Sequence, residues 1–175
     1  AALTAPDHTH AQGDHRQSHQ EEMAQLLLSA GADVNTSGPN SETPIKIAVG
    51  RGYTNLVKLI IDKGVNFDQA GLGAELLILA AIQGNTSLAG NLIENGININ
   101  SEGKDGQTSL HAAARFGQAK FCKYLIDAGA NINKPISDGP YFGDTPLDSA
   151  YTGVNDGKRE TIKILKTAGG KSGRK

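Results

Sequence analysis

The chain has 175 residues, a formal net charge of −1 and one cysteine. The length permits one ordinary domain, and a charge so near zero gives no global pull toward nucleic acid or an anionic membrane. A lone Cys122 excludes an internal disulfide and a Cys-rich zinc site, and every apolar run falls short of the ~20 residues a membrane helix needs.

The start of the chain, Ala1-Ala2-Leu3, carries no Met and is what cleavage of a precursor after a small residue, or trimming, leaves. Residues 1–16 have no apolar stripe and read as a polar, His-rich tail or cap, with a polar helix expected from about Gln17 into 30. His8, His10, His15 and His19 crowd here with Asp7 and Asp14. That donor set suits Zn, Cu or Ni, but nothing in the spacing fixes a geometry, so a solvated terminal segment is the preferred reading and no metal site is assigned.

From there the same phrase returns: Leu27-Leu28-Ser29-Ala30-Gly31-Ala32-Asp33-Val34-Asn35, with counterparts ending at Asp68, Asn100 and Asn133. The glycines at 31, 64, 96, 129 and 169 are spaced by 33, 32, 33 and 40 residues. A period near 33 over most of a chain means stacked, repeated units. The first unit keeps only a second helix, about 20–30, with Met23, Ala24, Leu26, Leu27 and Leu28. The second runs over 41–68 and opens on Thr43-Pro44, an N-cap followed by the one residue that loses nothing at the first helical position. The third, 73–100, has Glu75-Leu76 where Thr-Pro is expected.

The fourth, 106–133, is the clearest. Thr108 caps a helix bearing Leu110, Ala113 and Ala114, Gly117 ends it, and a second helix places Phe121, Cys122, Leu125 and Ile126 on one stripe before Gly129. The fifth, 143–170, opens on Thr145-Pro146, carries Asp148 where the fourth has His111, and has a lengthened loop around 152–157. Residues 171–175 form a basic tail, which reads as part of a polar outer face closing the stack. Helix pairs this short do not stand alone, so each must cover its neighbour's apolar face.

The combination Gly-x-Thr-(Pro)-Leu-His-x-Ala-Ala, a glycine nine residues after the Thr, and Gly-Ala-x-Ile/Val-Asn resembles the ankyrin repeat over roughly residues 20–170. The resemblance implies an all-α solenoid of stacked helix-turn-helix pairs with projecting loops, with residues 17–170 as the repeat domain. It implies that His111 ties adjacent loops by hydrogen bonds, and that a partner protein binds the loop tips and the exposed side of the inner helices, a concave surface. The matching positions are Pro39, Asn40, Glu42, Gly50 and Arg51; Leu72, Ala74, Ile82 and Gln83; Lys104, Asp105, Gln107, Arg115 and Phe116; and Tyr141, Phe142 and Asp144. Of these, Leu72, Ile82, Phe116, Tyr141 and Phe142 are apolar where the fold has no need to bury them, with Arg51 and Arg115 as flanking anchors.

No catalytic residue and no cofactor is expected. The repeat places no Ser or Cys nucleophile beside His111, and Cys122 sits in a core stripe. Gly170-Lys171-Ser172 resembles the end of a phosphate loop, but Leu165 stands where its first glycine belongs and a helix precedes it. The expected function is non-catalytic binding of another protein by a monomer, as inhibitor or scaffold, with no nucleic acid and no membrane. The alternatives are a metal-binding exported protein using the histidine cluster and a regulatory subunit of an enzyme.

Overall fold

The computed structural model describes residues 11–39, 42–68, 71–153 and 155–174. His8, His10 and Asn40, and the side chain of His15, lie outside the described residues. Among the described residues every regular element is a helix, as the repeat reading expects. The chain divides into two compact units, Ala1–Val65 and Asn66–Lys175.

In the first unit, α1 (Ala11–Ser29) runs as one helix from well before Gln17. It is followed by α2 (Pro44–Arg51) and α3 (Thr54–Asp62). Thr43 caps α2 through its side-chain oxygen, which accepts from the Lys46 amide, and Gly52 at φ 74° closes it. Ile45, Ala48, Val49, Leu56, Val57 and Ile60 make the core. Glu21 on α1 supplies α3 with the cap its own sequence lacks: Oε1 accepts from the Leu56 amide at 3.2 Å, one of the donors a helix start leaves open. Of the apolar residues of α1, Leu28 is buried, whereas Met23, Leu26 and Leu27 are exposed. Among the described residues α1 stands alone, where the later repeats have a pair of helices.

The second unit holds three pairs: α4 (Leu72–Gln83) with α5 (Thr86–Glu94), α6 (Ser109–Arg115) with α7 (Ala119–Asp127), and α8 (Pro146–Thr152) with α9 (Lys158–Thr167). Inner helices α4, α6 and α8 pack successively, and each covers its own outer mate. Ala113, Ala114, Phe121, Cys122 and Leu125 are buried as the stripe requires, with Ile126 only half-buried. The missing Thr-Pro of the third repeat has a structural consequence. With nothing to punctuate position 75, α4 starts at Leu72 and has 12 residues, against 7 in α6 and α8. That early start carries Leu72 into the core, where it is 3% exposed.

Candidate functional site

Both ends of α6 are tied to the following repeat, through His111 at its start and the Phe116 carbonyl at its end. Thr108 and His111 close a reciprocal cap on α6. The Thr108 amide donates to His111 Nδ1 at 3.1 Å, and Nε2 lies 3.2 Å from the Asp144 carbonyl oxygen. Because Nδ1 accepts an amide proton, the ring is the neutral Nε2–H tautomer and Nε2 donates to the next repeat. Burial pushes the His111 pKa down to about 4. The tie between loops that the family resemblance implies for this residue is thus present, with the proton placement that maintains it.

Asp148 replaces that histidine in the fifth repeat and performs the same local task differently. Its Oδ2 accepts from the Thr145 amide at 2.9 Å, and from the Thr145 hydroxyl and the Gly173 amide at 2.9 and 2.8 Å. Ser172 donates to Oδ1 at 2.5 Å. Burial pushes this carboxyl up, but the assembled donors outweigh it and hold it below the usual carboxylate range. Lys171–Arg174 thereby lie along the last repeat, in the role a following repeat's loop takes for His111.

The loops are joined sideways as well. Gly106 at φ 67° lies against the next loop so closely that an added Cβ would sit 2.5 Å from the Asp138 nitrogen, which leaves room for glycine alone. The Asn131 amide donates to Asn100 Oδ1 at 2.7 Å, and the Lys171 amide donates to Asn133 Oδ1 at 2.7 Å. These bonds explain why the Gly-Ala-x-Ile/Val-Asn phrase recurs: its final Asn grips the backbone of the following unit. Lys134 pairs with Glu102 at 2.6 Å, and Ser137 also donates to that carboxylate. Lys134 foremost, then Ser137, holds Glu102 below its usual pKa.

Against this frame the anticipated binding residues divide. In the second unit Arg115, Phe116 and Tyr141 come together: the Arg115 guanidinium carbon stands 3.8 Å from the Tyr141 ring centroid, and Phe116 follows Arg115 directly. Phe116 is 39% exposed, Tyr141 41% and Phe142 75%. Ile82 holds in the third repeat the place Arg115 holds in the fourth, each two residues before a helix-ending glycine, and Gln83 likewise matches Phe116. The Gln118 side-chain amide nitrogen donates to the Ile82 carbonyl at 2.8 Å, which ties the end of α4 to the start of α7. Lys104 is exposed and pairs with Glu75 at 3.2 Å, and Gln107 is half-buried.

Asp144 is not free. It is 6% exposed, and Arg174 Nε and Nη2 donate to its two oxygens at 2.8 and 2.6 Å. Leu72 is buried, as described above. Sequence reasoning missed Gln118, Asn100, Asn133 and the Ser172–Arg174 clamp. The recurring Asn was a visible signal for two of them, whereas the clamp joins residues far apart in the chain and left none.

The first unit contains Arg51, which is exposed, and an apolar concavity of about 510 Å³ lined by Met23, Leu27, Leu28, Ile47, Leu56 and Ile60 among others. Cys122 is fully buried, and burial pushes its thiol up to about 12, so it is no nucleophile. Among the described residues no three His, Cys, Asp or Glu side chains gather as a metal would need, and no helix is long and apolar enough to cross a membrane. His19, on α1, is exposed with Nδ1 3.6 Å from Glu22.

Comparison with known proteins gives the same picture. The chain is 24% identical over 183 residues to the transient receptor potential cation channel subfamily A member 1 of Homo sapiens, covering 82% of this chain and 16% of that protein. It is 37% identical over 114 residues to alpha-latrocrustotoxin-Lt1a of Latrodectus tredecimguttatus, covering 64% of this chain and 8% of the toxin. It is 45% identical over 56 residues to a putative ankyrin repeat-containing protein of Treponema pallidum, covering 30% of this chain and 19% of that protein. The chain therefore spans under a fifth of the length of each of these relatives. A family model of ankyrin repeats in three copies matches residues 14–102 and again 77–173. With helix pairs, capped Thr positions and interlocked loops in agreement with that match, the chain belongs to the ankyrin-repeat family.

Proposed function

We propose that this protein binds a partner protein without catalysis, through the face of its second unit formed by the end of α6 and the 137–144 loop. Ankyrin repeats are protein–protein interaction modules and are generally not enzymes, which supports this reading for a member of the family. What carries the finer reading is the exposure of Phe116, Tyr141 and Phe142 beside Arg115, on backbone already held by its own bonds. Aromatic side chains left this exposed and flanked by arginine are what interface centres use. Ile82, Gln83, Lys104 and Gln107 flank the patch in this reading. The loops are pre-ordered by ties such as Ser137 to Glu102, so little ordering entropy is lost on association. The outcome for the partner is inhibition or scaffolding.

The test is capture from source lysate by the intact chain and by a Phe116→Ala/Tyr141→Ala variant of matched helicity. Loss of a captured protein with the variant supports this surface, and equal recovery moves the site elsewhere.

A further inference from the structure

The first unit holds an apolar concavity of about 510 Å³ that the face proposed above does not use. Met23 and Leu27 of α1 stand on one wall, and Pro44, Ile47, Ala48 and Arg51 of α2 on another. The α2 residues fall at i, i+3, i+4 and i+7, so the groove runs the length of that helix, about 12 Å for 8 residues. Met23 is 59% exposed, Leu27 57% and Ile47 43%. Their counterparts in the other repeats are not. Counted back from the closing glycines, Ile60, Leu92, Leu125 and Leu165 stand in the place of Leu27, and Phe121 in that of Met23; all five are buried. Counted from the capping threonines, Ala112 and Ser149 stand in the place of Ile47, and both are buried. The difference is one helix. α3, α5, α7 and α9 each pack on the inner helix of their own repeat, and α6 and α8 each pack on the inner helix of the repeat before. For α1 and α2 those two roles fall to the same element, and no described residue supplies it, since the stretch from Ala11 that the register would give it is part of α1.

The groove carries opposite charges at its two ends. The Asn35 side-chain amide donates to the Gly64 carbonyl at 3.3 Å, which holds this loop, and Asp33 with it, just past the end of α3. Because α3 doubles back on α2 after Gly52-Tyr53, that is the end at which α2 starts. Arg51 lies at the other end, and both charged residues line the concavity and are exposed. A helix lying parallel to α2 turns its positive N-terminal end toward Asp33 and its negative C-terminal end toward Arg51. We propose that this groove receives a short apolar helix of a partner polypeptide, about two turns long and parallel to α2, in the place that an inner helix takes in the later repeats. That length is the length of α6 and α8, 7 residues each. Residues 1–10 of the chain itself lack the stripe for it: they hold one large apolar side chain, Leu3, and a helix-breaking Pro6. The paired helices of a second copy are engaged with their own mates.

The experiment is selection of helix-constrained peptides with a randomised face, displayed on phage, against the full chain. Enriched sequences should carry apolar residues at i, i+3 or i+4, and i+7, with no charge on that stripe. Met23 is the only methionine, so an isotope label on its methyl group gives one NMR resonance within the groove. That resonance should move saturably as the enriched peptide is added. Leu27→Ala and Ile47→Ala should each weaken the peptide about 10- to 100-fold, the range for burying one such side chain. Both residues are exposed in the free chain, so neither change touches its core. Asp33→Lys should weaken it less, about 2- to 5-fold, through the helix end it faces. Phe116→Ala should leave this peptide's affinity unchanged, which separates the groove from the face of the second unit. No enrichment, enrichment only of peptides that leave the Met23 resonance in place, or binding indifferent to Leu27→Ala overturns the assignment. So does a Met23 resonance that changes on dilution of the free chain, which gives the groove to a second copy, or on Leu3→Asp, which gives it to the chain's own start.

Discussion

His111 shows how one side chain joins a helix start to a neighbouring repeat. Its Nδ1 accepts from Thr108 and its Nε2 donates to the Asp144 carbonyl, so only the neutral ring fits. Replacing it by Ala leaves buried groups unpaired and should cost about 1–3 kcal/mol in urea unfolding. The pH dependence follows from its pKa of about 4 in the folded chain. The unfolded chain, with an ordinary histidine near 6.5, binds the proton first as pH falls. The stabilisation is therefore full above about 6.5 and shrinks as pH drops toward 4, and the His111→Ala variant should lose that component of the slope. Asp148 titrates in the opposite sense to a raised carboxyl: its pKa is depressed, so its contribution is present at neutral pH and fades only in acid. Asp148→Ala should unfold at lower urea by about 1–3 kcal/mol, since it strands the Thr145, Ser172 and Gly173 donors.

The same residues show what was legible in sequence. His111 and Thr108 announce themselves by recurrence, and so does the core position of Cys122. The fate of Asp144 does not: it projects from a loop by family register, yet Arg174, 30 residues on, closes over it. No local pattern signals a pairing set by where the chain end lies in space.

At the scale of the element, small inner-helix residues against branched outer-helix residues set the packing between α6 and α7. Ala113 and Leu125 are both 0% exposed. Leu125→Ala removes apolar contact and leaves a cavity, which should lower stability by about 2–5 kcal/mol. Ala113→Leu overfills the seam and should lower it by about 1–3 kcal/mol. Thermal or urea unfolding followed by circular dichroism checks both. The helices announced by Thr-Pro begin where expected, at Pro44 and Pro146. α4, lacking that punctuation, begins early and draws Leu72 inward, so a residue placed on the binding surface by register serves the core instead. α1 likewise departs from its repeat because its leading segment lacks the apolar stripe from which a separate inner helix would be read.

For the molecule as a whole, the repeat period was enough to give an all-helical repeat architecture, while the site depended on which exposed residues the loops leave unsatisfied. Gly106→Ala should disturb the seam between the fourth repeat and the 137–144 loop, because its Cβ would strike the Ser137–Asp138 backbone. It should raise amide exchange in that loop before it lowers overall helicity.

On the proposed function, a partner protein is held by the α6 end and the 137–144 loop. Hydrogen exchange of the chain with and without its captured partner tests it most directly. New protection is expected at residues 115–118 and 137–144, with the exposed sides of α5, α7 and α9 unchanged. Protection confined to those outer helices, or to the apolar concavity of the first unit around Met23 and Leu27, would contradict it.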